Sequence, residues 1–389
     1  MPTPDDATKA PFERAQAGVA GIPDAVPPPP ERGPAGGGPI DPAINALNWI
    51  ITRSTLFVAE PEPYHFKPEH LRVLREPGSQ IRLAIASVPI PPGKLEETKT
   101  SKVDSQYFRL FGLKSRFRRQ LRGKLKRYVE LACEHDCRFF FVNELGFPLD
   151  AAATNERKRD RDLRAFVSDV SGFLTRDAHP RYLVAGSFHD PASKYNLAPI
   201  VVRPAADEPT ISHYHSKKTS ATHLFEKVRL PPDRKLRLYR TAYGRMAVLI
   251  CLDFYDASQL LSLIQHNDNY DRAPAPSEER IDLLAVVSFG MPREDLCEDA
   301  VREVSELLGA AVAFAHSRSD QSLQFFYVGG KKIDPVLMLP SHDTPELSIF
   351  DLKADDLQQA WERSRVLRRS VSQLLARRTP PSISKIKIL

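Results

Sequence analysis

Between residues 81 and 339 the chain alternates short apolar runs with longer segments of helical periodicity. Ile81–Val88 is a compact apolar run of strand character, and Ser115 to Cys133 carries Phe117, Leu121, Leu125, Tyr128 and Ala132 at three- and four-residue spacing, the stripe of an amphipathic helix. Further strands are predicted at Arg138–Asn143, Tyr182–Phe188, Ala198–Val202, Arg245–Leu252, Asp282–Phe289 and Ala311–Ala315, with later short ones around Phe325–Val328 and Val336–Leu339. Helices are predicted at Arg157–Leu174, Ser258–Gln265 and Asp295–Leu308. Strand alternating with helix is the signature of an α/β fold, and strands that are apolar throughout belong to sheets covered on both faces. The stretch Asn267–Arg280, rich in Asp, Pro and Ala, breaks the pattern and reads as a surface insertion.

Composition changes the picture mainly at the N-terminus. Ten of the 34 prolines and six of the 18 glycines fall in the first forty residues, a stretch too poor in apolar side chains to offset its ordering entropy. The expected organisation is therefore a disordered tail over 1–44, an extension over 45–80 that packs on the main domain, the main domain over 81–350, and a C-terminal helix and tail over 351–389. No apolar run approaches twenty residues and no leader pattern opens the chain, so a cytoplasmic protein is expected. Four cysteines in 389 residues do not make a disulfide framework. The net charge of +6 is too diffuse to announce nucleic acid. Arg109 to Arg127 nevertheless holds nine basic residues and no acidic one, which reads as a solvated helix face, and nucleic-acid binding is expected to be weak at most.

Three strand ends carry chemistry. Glu144 follows Phe139, Phe140, Phe141 and Val142, which delivers a carboxylate to the carboxyl edge of a buried strand, where α/β sheets build their sites. Cys251 ends the run Val248, Leu249, Ile250, with Asp253 two residues on. Between them lie Lys217, Lys218 and Glu226. A thiol needs a base within reach and a cation to favour its thiolate, and a fixed ammonium can also stabilise charge growing on a substrate oxygen. The adjacent lysines point to opposite faces if the segment is extended, so only one of them can serve. Cys133, His135 and Cys137 sit at a helix end without a second ligand pair, and no metal site is expected there. Cys297 lies on a helix and reads as core.

These landmarks resemble the nitrilase, or carbon–nitrogen hydrolase, superfamily over roughly 250 residues. The matching segments are Ile81–Val88, Asn143-Glu144, Ala185-Gly186-Ser187 with Tyr195-Asn196, Tyr214–Glu226, Gly244–Asp253 and Phe326–Pro335. The resemblance implies a four-layer αββα sandwich and a Glu-Lys-Cys triad supported by another glutamate. It assigns Cys251 as nucleophile, Glu144 as general base and acid, Glu226 as support and the Leu252 N–H as second oxyanion donor. The eight-residue separation from Glu226 favours Lys218 as the lysine, with Lys217 a solvated neighbour. His316, after the strand Ala311–Ala315, falls near the pocket rim, where it could touch substrate. Two departures stand out: Asn143 occupies the place of a usual proline, and His215-Ser216 precede the lysines in place of a shorter Tyr-x-Lys pattern. The implied reaction is hydrolysis of a non-peptide amide, carbamoyl or nitrile group through a cysteine thioester, without metal or organic cofactor. A homodimer or larger homo-oligomer acting on a small amide or nitrile is expected, away from any membrane. The alternative is a catalytically altered scaffold that binds or regulates.

Overall fold

The structure, a computed structural model, describes residues 62–65, 74, 76–98, 108–149, 156–175, 179–202, 210–219, 226–231, 236–271, 280–290, 294–318, 320–341 and 344–378. The expected tail over 1–44 and most of the extension lie outside the described residues. In chain order the first half runs β1 (Glu62–His65), β2 (Gln80–Ala86), the hairpin β3 (Leu95–Thr98) and β4 (Leu110–Leu113), α1 (Ser115–Glu134), β5 (Cys137–Val142), α2 (Glu156–Thr175), β6 (Tyr182–Val184), β7 (Phe188–His189) and β8 (Asn196–Val202). It continues with β9 (Thr210–Ser216), β10 (Arg237–Arg240), β11 (Arg245–Ile250), a 3-10 turn at Cys251–Tyr255, α3 (Ala257–Asp271), β12 (Ile281–Phe289), α4 (Glu294–Leu308) and β13 (Ala311–Ser317). The chain closes with β14 (Ser322–Val328), β15 (Lys331–Lys332), β16 (Leu337–Ser341), β17 (Thr344–Lys353) and α5 (Ala354–Arg378).

Two sheets result, each with a parallel centre. One has the order β16-β17-β2-β5-β6-β8-β7 with β9 paired to β8, and the other β1-β10-β11-β12-β13-β14-β15. Strands β2, β5 and β6 are parallel in the first, and β11, β12 and β13 in the second. Side-chain parity then assigns the layers. Leu83, Ile85, Phe139, Phe141 and Val184 pack against Met246, Val248, Ile250, Ala285, Val287 and Ala313 between the sheets. Their alternates Ala84, Phe140, Val142 and Leu183 meet Leu121, Leu125, Phe166 and Val170 of α1 and α2. On the far side Ala247, Leu249, Leu284, Val286, Val312 and Phe314 meet Leu261, Ile264, Val301 and Leu308 of α3 and α4. The architecture is a four-layer αββα sandwich, and it explains why the central strands read as continuous apolar runs: both of their faces are covered.

Three expectations change. The predicted surface insertion opens as the last turn of α3, where Asn267 is buried, donates from Nδ2 to the Leu308 carbonyl (3.0 Å) and accepts the Ile281 N–H (2.9 Å). A polar residue can lie inside when both ends of its amide are matched. The basic face of α1 is only partly a solvated face: Arg118 pairs with Asp162 (2.8 Å) and Arg122 with Asp169, both on α2, and Lys124 reaches the buried Glu346 of β17 (2.8 Å). Strand β9 was not foreseen, because Thr210–Ser216 mixes histidines and hydroxyls where an apolar run was sought.

The C-terminal α5 is held by Arg368, which is fully buried. Its Nη1 donates to the Leu308 carbonyl at the end of α4 (2.9 Å), and its guanidinium lies over the Trp361 ring, 3.9 Å from the centroid. Arg368→Ala should therefore remove one of the two side-chain donors to that carbonyl, leaving Asn267, and open a cavity, costing about 2–4 kcal/mol in urea unfolding. A change below 0.5 kcal/mol would mean that α5 docks by its apolar residues alone.

Candidate active site

The carboxyl ends of the parallel strands of both sheets converge. Glu144 follows β5, and the residue before it does the anchoring. Asn143 is fully buried; its Oδ1 accepts the Val88 N–H (2.9 Å), and its Nδ2 donates to the Glu144 carbonyl (2.8 Å) and to Ser317 Oγ (2.7 Å) at the end of β13. The asparagine that stands where a proline was expected thus ties the two sheets together at the site. Gly186 lies against the same turn at φ +77°, and a Cβ there would meet the Asn143 carbonyl oxygen at 2.6 Å, so only glycine fits.

Glu144, Lys217, Glu226 and Cys251 are 3%, 1%, 5% and 1% exposed. The Lys217 ammonium donates to Glu144 Oε1 (2.9 Å) and to Glu226 Oε2 (2.8 Å). Asn196 Nδ2 donates to the same Glu144 Oε1 (2.8 Å) and to Glu226 Oε1 (3.0 Å). An ammonium between two carboxylates keeps its proton: their charges outweigh burial and hold the Lys217 group well above its usual range, and Lys217 in turn holds Glu226 far below the usual carboxylate range. Lys217 has three hydrogens and spends two on these carboxylates; the bonds to Glu144 both fall on Oε1.

The lysine that the spacing favoured is not the one brought there. Lys217 follows the end of β9 with the parity of His215, and its ammonium meets Glu144 and Glu226, whereas the neighbouring Lys218 donates its backbone N–H to Asp253 (3.0 Å to Oδ1). The count of eight from Glu226 crosses residues 220–225, a connection whose length sequence alone does not constrain, and the separation is nine.

Cys251 begins the 3-10 turn at φ +51°, a left-handed conformation that a non-glycine residue adopts at a cost of about 1–2 kcal/mol. A strand that ends in such a residue presents the side chain at the sheet edge and starts the next helical turn at once. Burial and the charge of Glu144 push the Cys251 thiol up, and Lys217 opposes them; Sγ lies 3.6 Å from the Phe289 carbonyl oxygen. This environment favours the thiol over the thiolate. Leu252, next in the turn, is half-buried against the inter-sheet core.

Asp253 fastens this turn to the lysine segment. Its carboxylate accepts the N–H groups of Lys218 (3.0 Å), Thr219 (2.7 Å) and Ile250 (3.4 Å) and the Gln259 amide (3.3 Å). His316 does not lie at the rim. It is fully buried, shares the parity of Val312 and Phe314, and stacks on Phe314 (5.8 Å) on the helix side of the sheet; the next residue, Ser317, is the one that reaches the site through Asn143. Sequence reasoning missed His189, whose Nε2 is 2.9 Å from Glu226 Oε1, and named Asn196 only as a landmark. Among the described residues no cluster of His, Cys, Asp and Glu could hold a metal ion, and no helix is long and apolar enough to cross a membrane.

No family model and no curated protein matches the chain. Solved structures do. An amidase from Nesterenkonia sp. is 12% identical, with 75% of this chain and 95% of that one covered at a TM-score of 0.46. A mutant of the Nesterenkonia amidase from the nitrilase superfamily is 11% identical over 76% and 99% at 0.47. A glutamine-dependent NAD+ synthetase from Acinetobacter baumannii is 12% identical over 72% of this chain and 47% of its own at 0.49. The arrangement of Glu144, Lys217, Glu226 and Cys251 carries the functional argument by itself.

Burial pushes the Asp253 carboxyl up to about 6, against the pull of Lys217 and the N–H donors. With the folded value above the ordinary 3.8, the folded protein binds more protons than the unfolded one between about pH 4 and pH 6, so this group's contribution to stability falls as pH rises through that window. Removing the titration with Asp253→Asn should flatten that component: relative to the native protein, the variant should gain about 2 kcal/mol between pH 4 and pH 6.5 in urea unfolding. A difference between the two proteins that does not vary with pH would show that Asp253 stays ionised throughout.

Proposed function

We propose that the protein is a carbon–nitrogen hydrolase that cleaves a non-peptide amide, or a related carbamoyl or nitrile group, through a thioester on Cys251. The observation that carries this reading is the Lys217 ammonium, buried and bonded to Glu144 and Glu226, beside a cysteine on a left-handed turn at a sheet edge. A buried acid–base pair of this kind does not arise from packing, since apolar residues of similar volume would be at least as stable.

The steps follow from the groups present. Glu144 takes the Cys251 proton as sulfur attacks the carbonyl carbon, so no free thiolate has to persist in a site that disfavours it. The carbonyl π electrons move to oxygen, where the third Lys217 N–H and the Leu252 N–H at the start of the 3-10 turn stabilise the charge. Glu144 returns its proton to the leaving nitrogen, the C–N bond breaks, and the acyl group remains on sulfur. Water, deprotonated by Glu144, attacks the thioester; the acid leaves and the thiol regains its proton. Each role asks of Glu144 a proton transfer to a different atom. The Oε1 bonds to Lys217 and Asn196 hold the carboxylate still while Oε2 handles the proton.

Incubation with small aliphatic amides, quenched in acid and read by intact mass, should trap an acyl adduct on Cys251. Cys251→Ala should abolish it and Cys297→Ala should not, while Glu144→Gln should slow turnover by about 100-fold or more. The rival reading, a scaffold that binds without turnover, requires that no adduct form with any amide or nitrile tried. An adduct on Cys297 would remove Cys251 from its role.

A further inference from the structure

Glu226 has a partner outside the triad. His189, at the end of the two-residue β7, is 4% exposed, and its Nε2 lies 2.9 Å from Glu226 Oε1. A neutral imidazole carries one ring proton, and which nitrogen holds it decides whether this contact is a bond or two lone pairs facing each other. Strand β4 makes the choice. The Phe111 backbone N–H points at His189 Nδ1 at 2.8 Å, and a backbone N–H can only donate, so Nδ1 accepts and the ring proton belongs to Nε2. His189 therefore donates to Glu226, and the β3–β4 hairpin, through one backbone group, fixes the tautomer.

The consequence runs through the carboxylate. Glu226 receives His189 and Asn196 on Oε1 and Lys217 on Oε2, so its terminal torsion, broad in a free glutamate, is set by donors on both oxygens. Lys217 sits on a flexible four-carbon stem and takes its direction from its acceptors, one of which is Glu226 Oε2. We propose that His189 is a positioning residue which, through Glu226, aims the Lys217 ammonium at Glu144 and at the oxygen of the reacting group. This rests on the reading of Lys217 as an oxyanion donor.

A plainer role must be separated from this one. The His189 ring also packs against Phe111, at 6.1 Å between centroids, and borders a small apolar pocket with Leu113, Leu145 and Phe188. If packing were its whole contribution, a phenylalanine would serve. His189→Phe keeps a ring and loses the donor, whereas His189→Gln loses the ring and keeps an amide N–H near the Nε2 position. The groups that face Glu226 in either variant are Lys217, Asn196, Glu144 by way of Lys217, and Cys251.

The experiment reads Cys251 alkylation by iodoacetamide, resolved by peptide mass, across pH, together with the 15N shifts of the His189 ring in the native protein. His189→Phe should slow alkylation about tenfold and move its acid limb to higher pH, because Glu226 then holds its charge with one donor fewer; His189→Gln should return within about threefold of the native rate. The ring should show the proton on Nε2, with its signal displaced in Glu226→Gln. Native-like rates and acid limb in His189→Phe, or a glutamine variant as slow as the phenylalanine one, would overturn the proposal. If native Cys251 reacts no faster than Cys133, the nucleophile reading fails, and the ring spectrum still decides the bond to Glu226: a proton on Nδ1 overturns it, a proton on Nε2 upholds it.

Discussion

One ammonium shared by two buried carboxylates governs how the site is built. A charge taken out of water costs several kcal/mol unless it is paired and its remaining donors and acceptors are met, and here Lys217, Glu144 and Glu226 are all at or below 5% exposed. The rest of the local structure reads as the means of meeting that constraint. Asn196 supplies the extra donors that the two carboxylates need, His189 supplies another, and Asn143 fixes the turn that delivers Glu144. The sandwich itself provides what no single sheet could: three of the polar groups come from one sheet and its edge, while Cys251 comes from the other, so the two sheets must pack in one register for the cluster to exist.

The same constraint explains the state of the thiol. Burial and the charges of Glu144 and Glu226 push Cys251 toward the neutral form against the pull of Lys217, and its left-handed turn holds it in place. Activation by a base during attack suits such an environment better than a standing thiolate. Asp253 links the Cys251 turn to the backbone just after Lys217, so the parts of the site that come from the two sheets are bonded through its carboxylate.

The central strands were legible because both faces are buried, and Glu144 and Cys251 were legible because each ends such a run. The lysine was not. Whether 217 or 218 faces the site is a question of strand parity at the end of β9, and a shift of one residue sends the side chain to the opposite face. The same parity put His316 on the helix side and left Ser317 to reach the site. His189 was hidden for another reason: it sits on a two-residue strand after a glycine turn, and nothing local marks a histidine whose partners are 37 and 78 residues away. Asn143 read only as a departure from a usual proline for a similar reason, since its three side-chain bonds go to residues far apart in the chain or to its neighbour's backbone.

The claim that Lys217 organises the site is tested most directly by comparing Lys217→Gln and Lys218→Gln in the rate at which Cys251 is alkylated by iodoacetamide at neutral pH, with folding verified by near-UV circular dichroism. The account predicts that losing Lys217 slows Cys251 by at least about 30-fold, while losing Lys218 changes it by less than about threefold. Equal effects of the two substitutions, or a larger one at Lys218, would contradict it.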